Sequence, residues 1–66
     1  MQVVSNGKPL DVPEGATVDQ LLHQLGLGAK WVLVERNGEP VMRGALATTV
    51  LEAGDRLELV RAVAGG

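Results

Sequence analysis

The residues of this chain best suited to chemistry are its last three, Ala64-Gly65-Gly66. Two glycines without side chains can lie extended in a channel too narrow for any other dipeptide. What such an end presents is the carboxylate of Gly66, which is inert until something activates it as an acyl group. An ATP-using partner lets that carboxylate attack the α-phosphate and form an acyl adenylate. A sulfur donor then displaces AMP and leaves a thiocarboxylate, whose sulfur is a better nucleophile at neutral pH than carboxylate oxygen. No Cβ shields the glycyl acyl carbon. An end of this kind reads as the substrate of another enzyme rather than as a catalyst. The same residues also read as a frayed end, because termini are often disordered, or as the remnant of a removed tag.

Self-contained catalysis finds little support. Ser5 has no evident base partner, and a lone His23 does not make a triad credible without geometry. His23 falls off the apolar stripe of its segment and reads as a solvated residue. Lys8 and Lys30 do not follow a Gly-x-x-x-x-Gly-Lys run, so there is no phosphate loop. Gly26-Leu27-Gly28 reads as a helix terminator, not as a nucleotide fingerprint. With no cysteine and one histidine, thiolate and multi-histidine metal sites are unavailable. The expectation is no bound cofactor and no metal, with ATP consumed by a partner.

Sixty-six residues make one small domain. A chain of that size buries only about 60% of its unfolded surface. Apolar residues make up 45%, nearly all aliphatic, with Trp31 the sole aromatic. Net charge is −2, and the six basic residues are scattered among acids. A nucleic-acid binder carries a basic stripe with stacking aromatics, and neither is present. No signal peptide and no membrane-length apolar run are visible, which makes the cytoplasm the expected location.

The elements that must position the tail have clear punctuation. Asn6-Gly7 between two short β-prone runs is a hairpin signal, since a type I′ turn needs φ > 0 at both positions. Lys8 to Val12 return with Leu10 and Val12 on one face, and Pro9 argues for an edge strand. Thr17 and Gln20 form a capping box. Val18, Leu21, Leu22 and Leu25 recur at helical spacing, and Gly26 sits where a terminating glycine belongs. Trp31 to Val34 is a continuous apolar run, followed by a second Asn-Gly turn at Asn37-Gly38. Glu39 to Met42 return as a short strand. From Gly44 to Val50 no period is clear: Ala45-Leu46-Ala47 suits a helical turn, and Thr48 to Leu51 a brief extension. Ala53-Gly54-Asp55 is a turn, and Arg56 to Arg61 is the last strand. One amphipathic helix on a mixed sheet of four to five strands is a two-layer α+β domain. The domain is expected over residues 1–63, with 64–66 as a flexible tail.

A single helix covers one sheet face. Leu57 and Leu59 share the inward face, so Val60 points outward. Val32 and Val34 are assigned to the core, which leaves Leu33 outward beside Val60. Leu33, Val60 and Arg61 are therefore the candidate partner surface, because an exposed apolar patch on a small domain often marks one; scattered exposed aliphatics are also ordinary. Trp31 is either a rigid anchor for a partner or a lid over the core rim.

Taken together, the chain resembles the ThiS family of sulfur carriers of thiazole biosynthesis, in the β-grasp, ubiquitin-like group. The resemblance runs the length of the chain. It rests on the opening strand with Asn6-Gly7, the segment Thr17-Val18-Asp19-Gln20-Leu21-Leu22, and Val34-Glu35-Arg36-Asn37-Gly38. Val41 and Arg43, Gly54-Asp55, Leu57-Glu58-Leu59-Val60 and Gly65-Gly66 complete it. It implies that Gly66 is adenylated by an E1-like adenylating enzyme (ThiF-type) and converted to a thiocarboxylate, with Ala64 and Gly65 threading the partner's active site. Sulfur would come from a cysteine desulfurase persulfide, and a thiazole synthase (ThiG-type) would accept it. Two departures stand out: Ala45-Leu46 occupy the place of an expected aromatic, and the chain has no Phe or Tyr. Alternatives of the same fold are the small subunit of molybdopterin synthase, which tends to be longer, a tRNA-thiolation carrier and a ubiquitin-like modifier. A plain β-grasp interaction module is the alternative from another class. The absence of cysteine excludes a β-grasp ferredoxin.

Overall fold

Two asparagine-glycine pairs organise the sheet. In the computed structural model, which describes residues 1–61, Asn6 and Gly7 have φ of 49° and 80°, and Asn37 and Gly38 have 52° and 86°. These left-handed values give turns whose twist matches that of the flanking strands. The first turn joins β1 (Gln2–Ser5) to β2 (Lys8–Asp11); the second joins β3 (Val32–Arg36) to β4 (Glu39–Val41). β5 (Arg56–Arg61) enters between the hairpins, giving the order β2-β1-β5-β3-β4. It runs parallel to β1, with Val4 opposite Arg56, and antiparallel to β3, with Val34 opposite Leu59. Pro9 and Pro40 lie on the two edge strands, where a missing N–H costs no ladder bond and discourages edge-to-edge pairing.

Helix α1 (Val18–Gln24) packs on one face of this sheet. Thr17 Oγ1 accepts from the Gln20 N–H at 3.2 Å and Gln20 Oε1 accepts from the Thr17 N–H at 3.0 Å, completing the capping box. At the other end Gly26 (φ 72°) donates to the His23 carbonyl and Leu27 donates to that of Leu22. That pair of bonds is the Schellman arrangement, which a glycine at this position makes accessible. Two helical turns are too short to be stable alone, so packing holds them. Val18, Leu21 and Leu22 are buried against Val3, Val32, Val34, Leu57 and Leu59 in an entirely aliphatic core. Leu25, expected on the same stripe, caps the helix and is partly exposed.

The stretch without a period has a backbone role. The Val18 N–H donates to the Thr49 carbonyl and the Asp19 N–H to that of Leu46. A helix start leaves its first N–H groups without intrahelical partners, and residues 46–49 satisfy two of them. Ala16 accepts from the Leu51 N–H, and Val50 bridges Thr17. Leu46 and Leu51 fill the core from this segment. The helical turn expected at Ala45–Ala47 is a 3-10 turn at Arg43–Ala45, and extension is confined to Val50. A second 3-10 turn, Ala29–Trp31, removes Trp31 from the strand expected to begin there. The domain limit expected at residue 63 falls outside the described residues.

Candidate functional site

The outward face of the sheet carries the apolar pair anticipated from strand alternation. Leu33 is 60% exposed and Val60 58%, and the two stand directly opposite each other on β3 and β5. Their inward neighbours Val32, Val34 and Leu59 are buried. The next outward pair along the same ladder is Glu35 opposite Glu58, with Pro40 of β4 opposite Glu35.

Arg61 does not join Leu33 and Val60. It stands opposite Val32, whose side chain is in the core, so it belongs to the helix side of the sheet. There it borders a groove of about 370 Å³ with Leu25, Gly26, Leu27 and Leu59. The strand alternation that sends Val60 outward sends its neighbour inward, and the expected three-residue surface is therefore two outward residues and one on the opposite side. Ala64, Gly65 and Gly66 lie outside the described residues.

Strand β5 leads toward that tail and is held by the side chains of both turn asparagines. Asn6 Nδ2 donates to the Leu59 carbonyl at 3.1 Å, and the Leu59 N–H donates to Asn6 Oδ1 at 2.7 Å. The ladder from β1 reaches β5 through the Asn6 N–H, which donates to the Leu57 carbonyl. Beyond it the Asn6 amide takes the place of a further strand residue. At the start of β5, the Arg56 N–H donates to Asn37 Oδ1 at 2.9 Å.

Asn37 also reaches the one charged residue that is buried among the described residues. Asp55 is 5% exposed and accepts from Asn37 Nδ2 at 3.0 Å, Arg36 Nε at 2.8 Å and the Glu52 N–H at 2.8 Å. Arg36 also approaches Glu52 at 3.9 Å. Burial pushes the Asp55 carboxyl upward. The Glu52 N–H, the Asn37 amide and the Arg36 guanidinium together outweigh it and hold the group below the usual carboxylate value. The carboxylate thus ties the β3–β4 turn to the start of β5. In the sequence alone Asp55 reads only as a turn residue and the asparagines only as turn formers. A possible signal was the coincidence of Arg-Asn-Gly with a later Gly-Asp, both flanking strands that pair.

Trp31 is 49% exposed in its 3-10 turn, with Lys30 Nζ 5.3 Å from the ring centroid. Arg43 Nη2 donates to the Lys30 carbonyl at 3.0 Å and steadies this turn. Among the described residues, no group of three or more His, Cys, Asp or Glu is placed to hold a metal ion. No helix among them is long and apolar enough to cross a membrane.

A five-stranded mixed sheet with one helix packed on it is the β-grasp architecture. Residues 2–66 match the model of the ThiS family, and the chain belongs to that family. A crystal structure of a thiamine biosynthesis protein (ThiS) from Geobacter metallireducens superposes with a TM-score of 0.84 at 38% identity, covering the whole of both chains. A solution structure of a thiamine biosynthesis protein from that organism gives 0.81 at 38% identity, covering all of this chain and 88% of the other. Two proteins called thiazole synthase, from Magnetococcus marinus and Paramagnetospirillum magneticum, are each 38% identical over 66 residues. This chain spans about a fifth of their length, 20% in each case.

Proposed function

We propose that this chain is the sulfur carrier of thiazole formation in thiamine biosynthesis. The observation that carries the reading is the ThiS family match, which extends through Gly65 and Gly66. The likeness to thiazole synthases supports the choice of acceptor over molybdopterin or tRNA thiolation.

The Gly66 carboxylate attacks the α-phosphate of ATP on a ThiF-type adenylating enzyme, and pyrophosphate leaves. Persulfide sulfur from a cysteine desulfurase then attacks the acyl carbon and AMP leaves. A thiol cleaves the remaining S–S bond, which yields the thiocarboxylate and a disulfide. Thiazole synthase (ThiG-type) takes the sulfur; as the C–S bond breaks, an oxygen from the acceptor or from water bonds to the acyl carbon, and the carboxylate is ready for another round. The folded domain acts as the handle for this co-substrate, and catalysis resides in the partners. Ala64 and Gly65 supply the narrow segment that a partner's channel admits.

The test is the intact mass of the chain after incubation with a ThiF-type enzyme, ATP and a persulfide donor. A gain matching one oxygen replaced by sulfur, absent when Gly66 is deleted, is the expected result. No gain with an enzyme active on a known carrier refutes the carrier reading and leaves a binding module.

A further inference from the structure

Both asparagines of the chain, Asn6 and Asn37, are followed by glycine. That dipeptide has a chemistry of its own. The glycine N–H, once hydroxide takes its proton, attacks the side-chain carbonyl carbon of the asparagine, and no Cβ on the glycine hinders the approach. The bond from that carbon to Nδ2 breaks, ammonia leaves, and a five-membered imide remains. Water then opens the ring. Opening at the side-chain carbonyl gives aspartate. Opening at the main-chain carbonyl gives isoaspartate, whose backbone runs through the former side chain. One water enters and one ammonia leaves, so no oxidant, reductant or other enzyme is needed. Both turns are exposed, and water and hydroxide reach them. Yet each amide is held at both ends. Asn6 exchanges two bonds with Leu59, and Asn37 donates to Asp55 and accepts from the Arg56 N–H. All four bonds run to β5 or to the residue just before it.

We propose that Asn6 and Asn37 are sites of self-modification by deamidation, and that β5 gates both. With the strand in place the amides are clasped and the turns are inert. For the imide to close, an amide must turn its face to the glycine nitrogen and give up its bonds to the strand. Loosening of β5 therefore opens the gate, and the products cannot close it again. Aspartate at position 6 has no donor for the Leu59 carbonyl, which Nδ2 meets at 3.1 Å. Aspartate at position 37 sets a second carboxylate against Asp55 Oδ1, where Nδ2 donates at 3.0 Å, and two carboxylates at that distance repel each other. Isoaspartate does more damage, because an added backbone atom spoils the two-residue turn that φ of 49° and 52° at the asparagines builds. A brief opening of the strand is thus made permanent by hydrolysis. Nothing in this chemistry depends on the carrier role.

The experiment incubates the whole chain in mildly alkaline buffer, folded and in guanidinium chloride strong enough to unfold it. Tryptic peptides carrying residue 6 and residue 37 are then followed by mass, each for the gain of an amide replaced by an acid. In denaturant both should deamidate. In the folded chain each should be slower by about tenfold or more, the effect of two hydrogen bonds that must open first. In Asp55→Asn the Asn37 amide loses its acceptor while Asn6 keeps both partners. Deamidation at residue 37 should then rise about threefold or more relative to residue 6. The deamidated fraction, separated by its added negative charge, should unfold at lower urea than the parent. Equal rates in folded and unfolded chain overturn the gating. No reaction at either asparagine in denaturant overturns the sites themselves. An equal rise at both in Asp55→Asn reports general unfolding and overturns the clasp at Asn37. A deamidated fraction as stable as the parent overturns the claim that the gate stays open.

Discussion

Replacing Asp55 tests whether a buried carboxylate joins the β3–β4 turn to β5. In Asp55→Ala three donors lose their acceptor: Arg36 Nε, Asn37 Nδ2 and the Glu52 N–H. Removing one partner of a buried charge pair typically costs about 3–5 kcal/mol. A domain of this size has roughly 3–10 kcal/mol of total stability at typical values per residue, so Asp55→Ala is expected to bring the protein close to unfolding. Asp55→Asn is the gentler variant. Its amide can face its oxygen toward Arg36 and Glu52, but the NH₂ then meets Asn37 Nδ2, and Asn37 Oδ1 is already engaged by the Arg56 N–H. One donor–donor contact remains, worth about 1–3 kcal/mol. The sign of the pH dependence follows from the lowered pKa of Asp55. The folded state binds this proton less tightly than the unfolded one does. Its contribution is therefore fully present above the unfolded carboxylate value of about 3.9 and is lost as pH falls through the lower folded value. Urea unfolding followed by circular dichroism, at pH 7 and at several points below pH 4, is the assay. The gap between parent and Asp55→Asn should be widest at neutral pH and close in acid, where the parent is protonated too. A gap that stays constant with pH, or no gap at pH 7, refutes the argument that the ionised form ties these segments together.

Three further outcomes are expected. Asn6→Gly keeps the left-handed turn, because glycine adopts φ of 49° without strain, but removes both bonds to Leu59. It should cost about 1–2 kcal/mol and speed hydrogen exchange at the Leu59 amide by NMR; unchanged exchange there would show that the asparagine serves the turn alone. Gly26→Ala should cost about 1–2 kcal/mol in urea unfolding through backbone strain at φ 72°, since a Cβ there meets nothing within 4 Å. Gly44→Ala, equally open but without positive φ, should fall within about 1 kcal/mol of the parent and on the stabilising side.

Features with a local period or local chemistry were legible in the sequence. The Asn-Gly turns, the Thr17–Gln20 box and Gly26 each depend on a few consecutive residues, and each formed as expected. The outward position of Leu33 and Val60 followed from alternation alone. What escaped was non-local. The segment from Arg43 to Leu51 has no period because its carbonyls serve the start of the helix, and a carbonyl leaves no mark on residue identity. Trp31 joined the strand on hydropathy, whereas the Gly28 carbonyl draws its N–H into a 3-10 turn. Arg61 neighbours Val60 in sequence, but the pleat puts the two on opposite faces of the sheet. The like-charged rung of Glu35 and Glu58 became visible only once the register was known.

The strand at the centre of the sheet is the last of the five in the chain. During synthesis both hairpins and the helix therefore emerge before the strand that unites them. Until Arg56 to Arg61 arrive, β1 and β3 each lack the neighbour that joins the two halves, and the bonds between Asn6 and Leu59 must close a separation of 53 residues. Closing such distances late is slow compared with local pairing. A nascent chain halted at Gly54 would hold two hairpins with open inner edges and no common sheet. The molecule consequently has no stable half. Assembly of this sheet is deferred until β5 has been made, so the strand that completes the fold is also the one that emerges after the other four.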